Sequence, residues 1–276
     1  MRYVLINTTM LQWWLRLKNV NQNRNKDKNM VKWLIQPVKI ESEKMDYLMD
    51  MLARADIPFD KVYPLEGQVL NADKTLYQFD DNQQYFVCGS YPLTRYVAKI
   101  KPQAVFSLEA YTFSDLWDIF GKENFVNHDA HICHTSEIDW NQEQEYFVRP
   151  LEDTKSFNGG IYSPHSLKYD GMVVVASLKS IEKEHRFFII DNEIITASLY
   201  KMNGELYASN IIDEDATDFA HQMKEKFNHP GYVIDIATVN GEYKIMELNC
   251  LNAAGFYDIN LYKLIMAVED YYARLV

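Results

Sequence analysis

The sequence predicts two kinds of layer in one chain: an α/β layer with a mostly parallel sheet in roughly the first hundred residues, and an α+β part rich in antiparallel hairpins after it. Three observations predict this. Strand and helix patterns alternate from Glu43 to Ile100, as successive βα units do. Short apolar stretches then crowd the chain between Tyr146 and Leu248, with only two helical patterns among or after them. Two dipeptides suited to tight hairpins, Asp191-Asn192 and Asn240-Gly241, join neighbouring stretches, since both central positions of such turns need φ > 0.

The elements follow in order. Arg2-Tyr-Val-Leu-Ile-Asn7 is a short apolar run with polar ends and predicts an opening strand. From Lys18 to Asn29 the chain offers almost nothing to bury, which predicts a loop; Trp13, Trp14 and Trp33 flank it as anchors of its ends or as a partner-binding patch. Met45, Leu48, Met49 and Leu52 make the i, i+3, i+4, i+7 stripe of a helix that ends before Pro58. Phe59 to Leu65 and Tyr85 to Gly89 are strands, and Ser90 is placed to cap a helix through Ile100. Further strands are predicted at Tyr146–Arg149, Gly171–Ala176, His185–Ile190, Ile194–Tyr200, Tyr232–Val239 and Tyr243–Leu248. A last helix, Leu261 to Leu275, carries Leu264, Ile265, Val268 and Tyr272 on one face.

Composition excludes several function classes. A chain of 276 residues with 47% hydrophobic and 24% charged residues can bury a core and is globular. Lys and Arg total 28 against 39 Asp and Glu, and 28 − 39 gives a net charge of −11, which argues against nucleic acid as partner. The longest apolar runs fall well short of the ~20 residues of a membrane-spanning helix. Cys88, Cys133 and Cys250 form no paired framework, and no secretory apolar segment follows Met1, so reduced thiols and a cytoplasmic location are expected.

Three constellations could carry chemistry. Arg149, Lys155 and the Gly159-Gly160 pair lie within Phe147-Val-Arg-Pro-Leu-Glu-Asp-Thr-Lys-Ser-Phe-Asn-Gly-Gly160; two cations and an approachable backbone suit a polyphosphate, although no Walker loop is present. Asp235 lies on one strand of the Asn240-Gly241 hairpin, with Glu247 and Asn249 on the other. A plain two-residue turn sets Asp235 opposite Met246 and turns Glu247 away; a three-residue loop, or a bulge beside Gly241, sets Asp235 opposite Glu247 with Asn249 on the same face. Together they would offer Mg²⁺ two carboxylates and an amide oxygen. Glu184 and Arg186 share one strand face, either as cross-strand salt bridges or as contacts to a nucleotide. His128, His131 and His134 with Cys133 lack zinc-site spacing and are expected in a polar surface loop; Cys250 is expected in the core.

In order, Phe-x-Arg-Pro-x-x-Asp-x-Lys-x-Phe-x-Gly-Gly, Glu-x-Arg-x-Phe, Ser198-x-Tyr200, Asp235-Ile-Ala and Met246-Glu-Leu-Asn249 resemble the ATP-grasp superfamily, specifically its R2K-type branch. Val87-Cys-Gly-Ser-Tyr91, Ala110 to Phe120 and Phe125-Val-Asn-His128 resemble the amino-terminal half of those proteins, so the match spans roughly residues 85 to 276; Thr9 to Asn29 lies outside it. The resemblance implies an ATP-grasp fold: an N-terminal α/β (pre-ATP-grasp) domain over residues 1–108, then an ATP-grasp domain over 109–276, its lobes at about 109–176 and 177–276 enclosing the nucleotide. It implies ATP and Mg²⁺ as cofactors and an ADP-forming ligation of a small-molecule or peptide carboxylate to an amine. Carried over, Arg149, Lys155, Gly159 and Gly160 meet phosphates, and Arg186 and Lys155 act in the transfer. Asp235, Glu247 and Asn249 hold Mg²⁺, Glu184 meets the ribose, and the backbone from Ala176 to Leu178 meets the adenine. Many ATP-grasp proteins have Lys where Arg149 stands, which keeps the charge but changes its geometry. The alternatives are a nucleotide-binding module without ligation and, disfavoured by the acidic balance, an RNA-directed ligase or nucleotidyltransferase.

Overall fold

The computed structural model describes residues 30–37, 42–140, 145–151 and 157–275. The predicted strand at Arg2–Asn7, the loop from Lys18 to Asn29, Trp13, Trp14 and Lys155 lie outside them. The chain divides into two compact units. The first runs to Val105 and takes in Asn252–Phe256 and the chain from Leu261; the second comprises Phe106–Leu251 and Tyr257–Asn260.

The first unit is an α/β layer. Strand β1 (Lys32–Ile35) is followed by helix α1 (Ser42–Arg54), whose stripe Met45, Leu48, Met49 and Leu52 is buried as its spacing predicts. The chain returns as β2 (Phe59–Leu65), turns at Glu66-Gly67 with φ of 48° and 82° into β3 (Gln68–Asn71), and continues to β4 (Tyr85–Cys88). The order is β3-β2-β1-β4, with β1 parallel to both β2 and β4. Trp33 on β1 is fully buried, and its indole N–H donates to the buried Glu269 carboxylate at 3.0 Å, so it is a core residue and not part of a docking patch. Ser90 stands before helix α2 (Tyr91–Ile100) in extended conformation but makes no side-chain cap; its hydroxyl and backbone N–H both donate to Gln36 Oε1, tying the helix start to the end of β1.

The second unit holds two antiparallel sheets. Helix α3 (Phe113–Phe120) opens with a capping box between Thr112 and Asp115. Strands β5 (His131–His134), β6 (Tyr146–Pro150), β7 (Gly160–Tyr162) and β8 (Met172–Ala176) make a sheet in the order β5-β8-β6-β7. The chain then builds β9 (Lys183–Ile190), β10 (Glu193–Met202) and β11 (Glu205–Ser209), crosses in helix α4 (Glu214–Lys224), and finishes with β12 (Gly231–Val239) and β13 (Glu242–Asn249), in the order β11-β10-β9-β12-β13. Both expected hairpin turns form: Asp191-Asn192 has φ of 52° and 59°, and Asn240-Gly241 has 52° and 75°. Helix α5 (Leu261–Ala273) buries Leu264, Ile265, Val268 and Tyr272 and sits with the first unit. No helix among the described residues is long and apolar enough to cross a membrane.

Candidate active site

One face of the five-stranded sheet packs on α4: Phe187 and Ile189 of β9 and Tyr232, Ile234 and Ile236 of β12 meet Ala216, Ala220 and Met223. The period of two along a strand turns Glu184, Arg186 and Asp235 to the opposite face. Register assembles them there. Asp235 pairs with Arg186 across β9 and β12, and with Glu247 across β12 and β13.

The second pairing needs an irregularity, and the structure places it away from the turn. Val239 faces Glu242 and Ile236 faces Ile245, as a plain two-residue turn dictates; then Asp235 faces Glu247, so Met246 is the extra residue of a bulge. The bulge expected beside Gly241 thus lies at the site itself. A local cause is visible: the backbone N–H of Val126 donates to Ile245 O at 2.9 Å, and Phe125 bridges Ile245 in parallel, so β13 takes a second partner where its register shifts.

The resulting network is dense. Arg186 Nε and Nη2 donate to Asp235 Oδ1 and Oδ2 at 2.8 and 2.7 Å, a two-pronged pair with Asp235 wholly buried. Tyr200, turned to this face by a register shift in β10, donates to Glu184 Oε2 at 2.5 Å and lies 3.3 Å from Asp235 Oδ2. Lys201 reaches Glu184 Oε1 at 3.2 Å. Asn249 Nδ2 spans the two carboxylates, 3.2 Å from Asp235 Oδ2 and 3.0 Å from Glu247 Oε1. Glu247 is exposed, whereas Glu184, Arg186 and Asp235 are buried.

The Asp235 carboxyl is raised to about 6: burial pushes it up most, Arg186 pulls it back, and Glu247 and Glu184 add to the rise. Burial also works against the Arg186 charge, but the Asp235 carboxylate outweighs it and holds the guanidinium protonated far into the alkaline range. The Tyr200 phenol is driven upward by burial and then by Asp235 and Glu184, which keeps it a proton donor.

Three carboxylates, Glu184, Asp235 and Glu247, face two cations, Arg186 and Lys201. The surplus is negative and emerges at Glu247 and Asn249, the exposed end of the network. The Glu247 and Asp235 carboxylate oxygens, now met by the Asn249 amide nitrogen, are the hard ligands that a divalent cation of the Mg²⁺ class takes. Among the described residues no group of three or more His, Cys, Asp and Glu is arranged to hold a metal unaided.

The other expected residues sit elsewhere in the second unit. Arg149 lies on β6 with its guanidinium 5.0 Å from the Phe113 ring centre. Gly160 is not in a loop cradle but opens β7 and pairs with Val148. Gly159 has a packing reason to be glycine, since a Cβ there would lie 3.1 Å from Arg149 Cβ. Ala176 ends β8, and Leu178 follows, exposed. Between them Ser177 donates its hydroxyl and backbone N–H to Asp129, which also accepts from Lys179 at 2.7 Å; this clamp was not foreseen. Burial pushes the Asp129 carboxyl up, but the Lys179 and Ser177 hydrogen bonds outweigh it and hold the group below the ordinary range.

The expected histidine loop is corrected. His131, Cys133 and His134 form β5, where His131 and His134, three apart, point to opposite faces; His134 Nδ1 meets Ser136 Oγ at 2.9 Å. Tyr200 entered the sequence reading only as part of a motif, and Lys201 and Tyr257 not at all. The signal for Tyr257 was slight: it follows Gly255-Phe256 outside any periodic segment.

The family model described as ATP-grasp domain, R2K clade family 2, matches residues 125–265, just over half of the chain. No curated protein matches. Among solved structures the chain is similar to a D-alanine–D-alanine ligase of Bacillus anthracis complexed with ATP, with a TM-score of 0.53 and 13% identity over 90% of this chain and 98% of that one. It is likewise similar to the ATP-grasp ligase PsnB complexed with a minimal precursor (TM-score 0.51, 12% identity, 89% of this chain and 100% of that one). PsnB complexed with the precursor peptide PsnA2 and AMPPNP also matches, at 0.50 and 11% over 90% and 99%. At such identities the likeness shows a shared fold.

Proposed function

The chain belongs to R2K clade family 2 of the ATP-grasp domains, and from that premise we propose that it is an ATP-dependent, ADP-forming ligase that joins a carboxylate to an amine. The observation that carries this reading is the register of β12 on β13, which gathers Asp235, Glu247 and Asn249 beside Arg186.

A carboxylate is a poor electrophile at neutral pH. In the proposed reaction its oxygen attacks the γ-phosphorus of ATP, the bond to the β-phosphate oxygen breaks, and an acyl phosphate and ADP result. The amine then attacks the acyl carbon, phosphate leaves with the C–O bonding pair, and the nitrogen gives up a proton as the amide forms. Such transfers depend mainly on positioning and charge stabilisation. Arg186 and Lys155 act on the transferring group; Arg149 and the backbone of Gly159 and Gly160 meet phosphates. Glu184 contacts the ribose, and the backbone from Ala176 to Leu178 lines the adenine site. Glu247, Asn249 and Asp235 hold Mg²⁺, which when bound offsets phosphate charge. The substrates belong to the small-molecule or peptide carboxylates and amines; the similar structures include a D-alanine–D-alanine ligase and PsnB complexed with a precursor peptide. A cytoplasmic location accords with three free cysteines.

A second reading, a nucleotide-binding module without turnover, is favoured by the mutual neutralisation of Arg186 and Asp235. A phosphate-release screen with ATP, Mg²⁺ and panels of amino acids, polyamines and peptides separates the two. The ligase requires substrate-dependent release that is lost in Lys155→Ala and Glu247→Ala; nucleotide binding with no release on any panel supports the module.

A further inference from the structure

The segment Tyr257–Asn260 lies against the polar face of β10. The backbone N–H of Asp258 donates to Ser198 Oγ at 3.2 Å, and that of Asn260 to Thr196 Oγ1 at 2.9 Å; both hydroxyl residues are buried. The strap so formed holds Tyr257 at φ 47°, a left-handed conformation that a bulky side chain adopts only where its surroundings impose it. The Tyr257 ring stacks on Tyr200, with centres 4.8 Å apart and planes 21° from parallel. The Arg186 guanidinium lies 5.0 Å from the Tyr200 ring centre and 5.2 Å from that of Tyr257, within cation–π reach of both.

Asp235 holds one edge of the guanidinium through Nε and Nη2, and the two aromatic rings bear on the same group. We propose that Tyr257 is a positioning residue for Arg186: pinned by Ser198 and Thr196, its ring completes a two-tyrosine shelf that fixes the plane of the guanidinium. This rests on the reading of Arg186 as the group that meets the transferring phosphoryl. Tyr257 acts through Arg186, so its removal weakens binding of the transferring state more than binding of the nucleotide itself.

The test compares wild type with Tyr257→Phe and Tyr257→Leu in the full chain, using two probes with Mg²⁺: AMPPNP for the ground state and ADP with aluminium fluoride for the transferring state. Tyr257→Leu is expected to weaken ADP–aluminium fluoride binding about tenfold and AMPPNP binding less than about threefold, while Tyr257→Phe stays within about twofold of wild type on both. In ¹⁵N-arginine spectra the Arg186 Nε–H signal, assigned by its loss in Arg186→Lys, should move away from its ring-shifted position in Tyr257→Leu and stay in Tyr257→Phe. If Tyr257→Leu does not fold, Ser198→Ala combined with Thr196→Val releases the strap and should move the same signal. Wild-type binding with both probes and the Arg186 signal unaltered in the leucine variant overturns the role of Tyr257 and leaves the ligase reading standing. Wild type that binds neither probe overturns the ligase reading, and this inference with it.

Discussion

The two faces of the five-stranded sheet are made by the same strands and differ in everything else. Against α4 lie Phe187, Ile189, Ile234 and Ile236, buried without a charge among them. One residue along in each strand, Arg186 and Asp235 are buried almost as deeply and carry opposite charges. The apolar face is stabilised by each side chain separately, at about 25 cal/mol per Å² removed from water. The polar face is held only by mutual pairing, because an ion deprived of water and of its partner costs several kcal/mol. A substitution on the first face therefore costs what the lost atoms contributed; on the second it costs what it leaves behind.

The largest effect expected from this contrast is that of Arg186→Met. The variant leaves the Asp235 carboxylate buried without its two strongest donors and should lose about 3–5 kcal/mol in urea unfolding. Adding Asp235→Leu should restore most of that loss, because the uncompensated charge goes too. A single variant that loses less than about 1 kcal/mol would mean that the pair does not organise this face.

Glu247→Gln tests the exposed end of the same network. The side chain is exposed, so stability should change by less than about 0.5 kcal/mol, whereas ATP-dependent phosphate release should fall about 100-fold, equivalent to ~2.7 kcal/mol of barrier. Ile234→Val, one residue from Asp235 but on the apolar face, should show the reverse: a loss of about 0.5–1.5 kcal/mol in unfolding and unaltered AMPPNP affinity. An affinity change in Ile234→Val would show the two faces to be coupled through the backbone.

The same contrast explains what could be read from the chain in advance. The order of motifs from Phe147 to Asn249 identified the family and its fold, because several short motifs spread in a fixed order over β6, β9, β12 and β13 are together specific. The strands that escaped notice at Gln68–Asn71, His131–His134, Gly160–Tyr162 and Glu205–Ser209 all lie at sheet edges. An edge strand forms because its neighbour offers hydrogen bonds, and its own side chains need not alternate; those of β11 are nearly all exposed. Lys32–Ile35 is central and also escaped notice, although Val31-Lys-Trp-Leu-Ile35 is a short, largely apolar run; the strand expected at Arg2–Asn7 lies outside the described residues. The alignment of Asp235 with Glu247 was recognised as needing a one-residue shift. Its place at Met246 was hidden, because it accompanies the docking of Phe125 and Val126, distant in sequence, on Ile245.

The smallest expected effect concerns the imidazole on the apolar face. His185 is fully buried on β9, and neither ring nitrogen has a hydrogen-bond partner among the described residues. Asp213, at the start of α4, approaches Nε2 at 3.6 Å but is already bonded by Lys183 at 2.7 Å, with Tyr243 at 3.5 Å. Burial pulls the His185 pKa below its ordinary value; Asp213 opposes this, and Lys183 adds to it. The unfolded chain therefore takes up this proton first, near pH ~6.5, and the folded chain only at lower pH. The contribution of a neutral His185 is fully present above about pH 6.5 and is lost as pH falls through the folded value. Unfolding free energies measured between about pH 7 and about pH 5 should decline more steeply for wild type than for His185→Leu, since subtraction cancels every other group that titrates alike in both. Parallel curves would mean that Asp213 compensates the imidazolium as well as water does. The apolar face would then tolerate a charge on the same terms as the polar one, and the distinction between the faces would reduce to residue type alone.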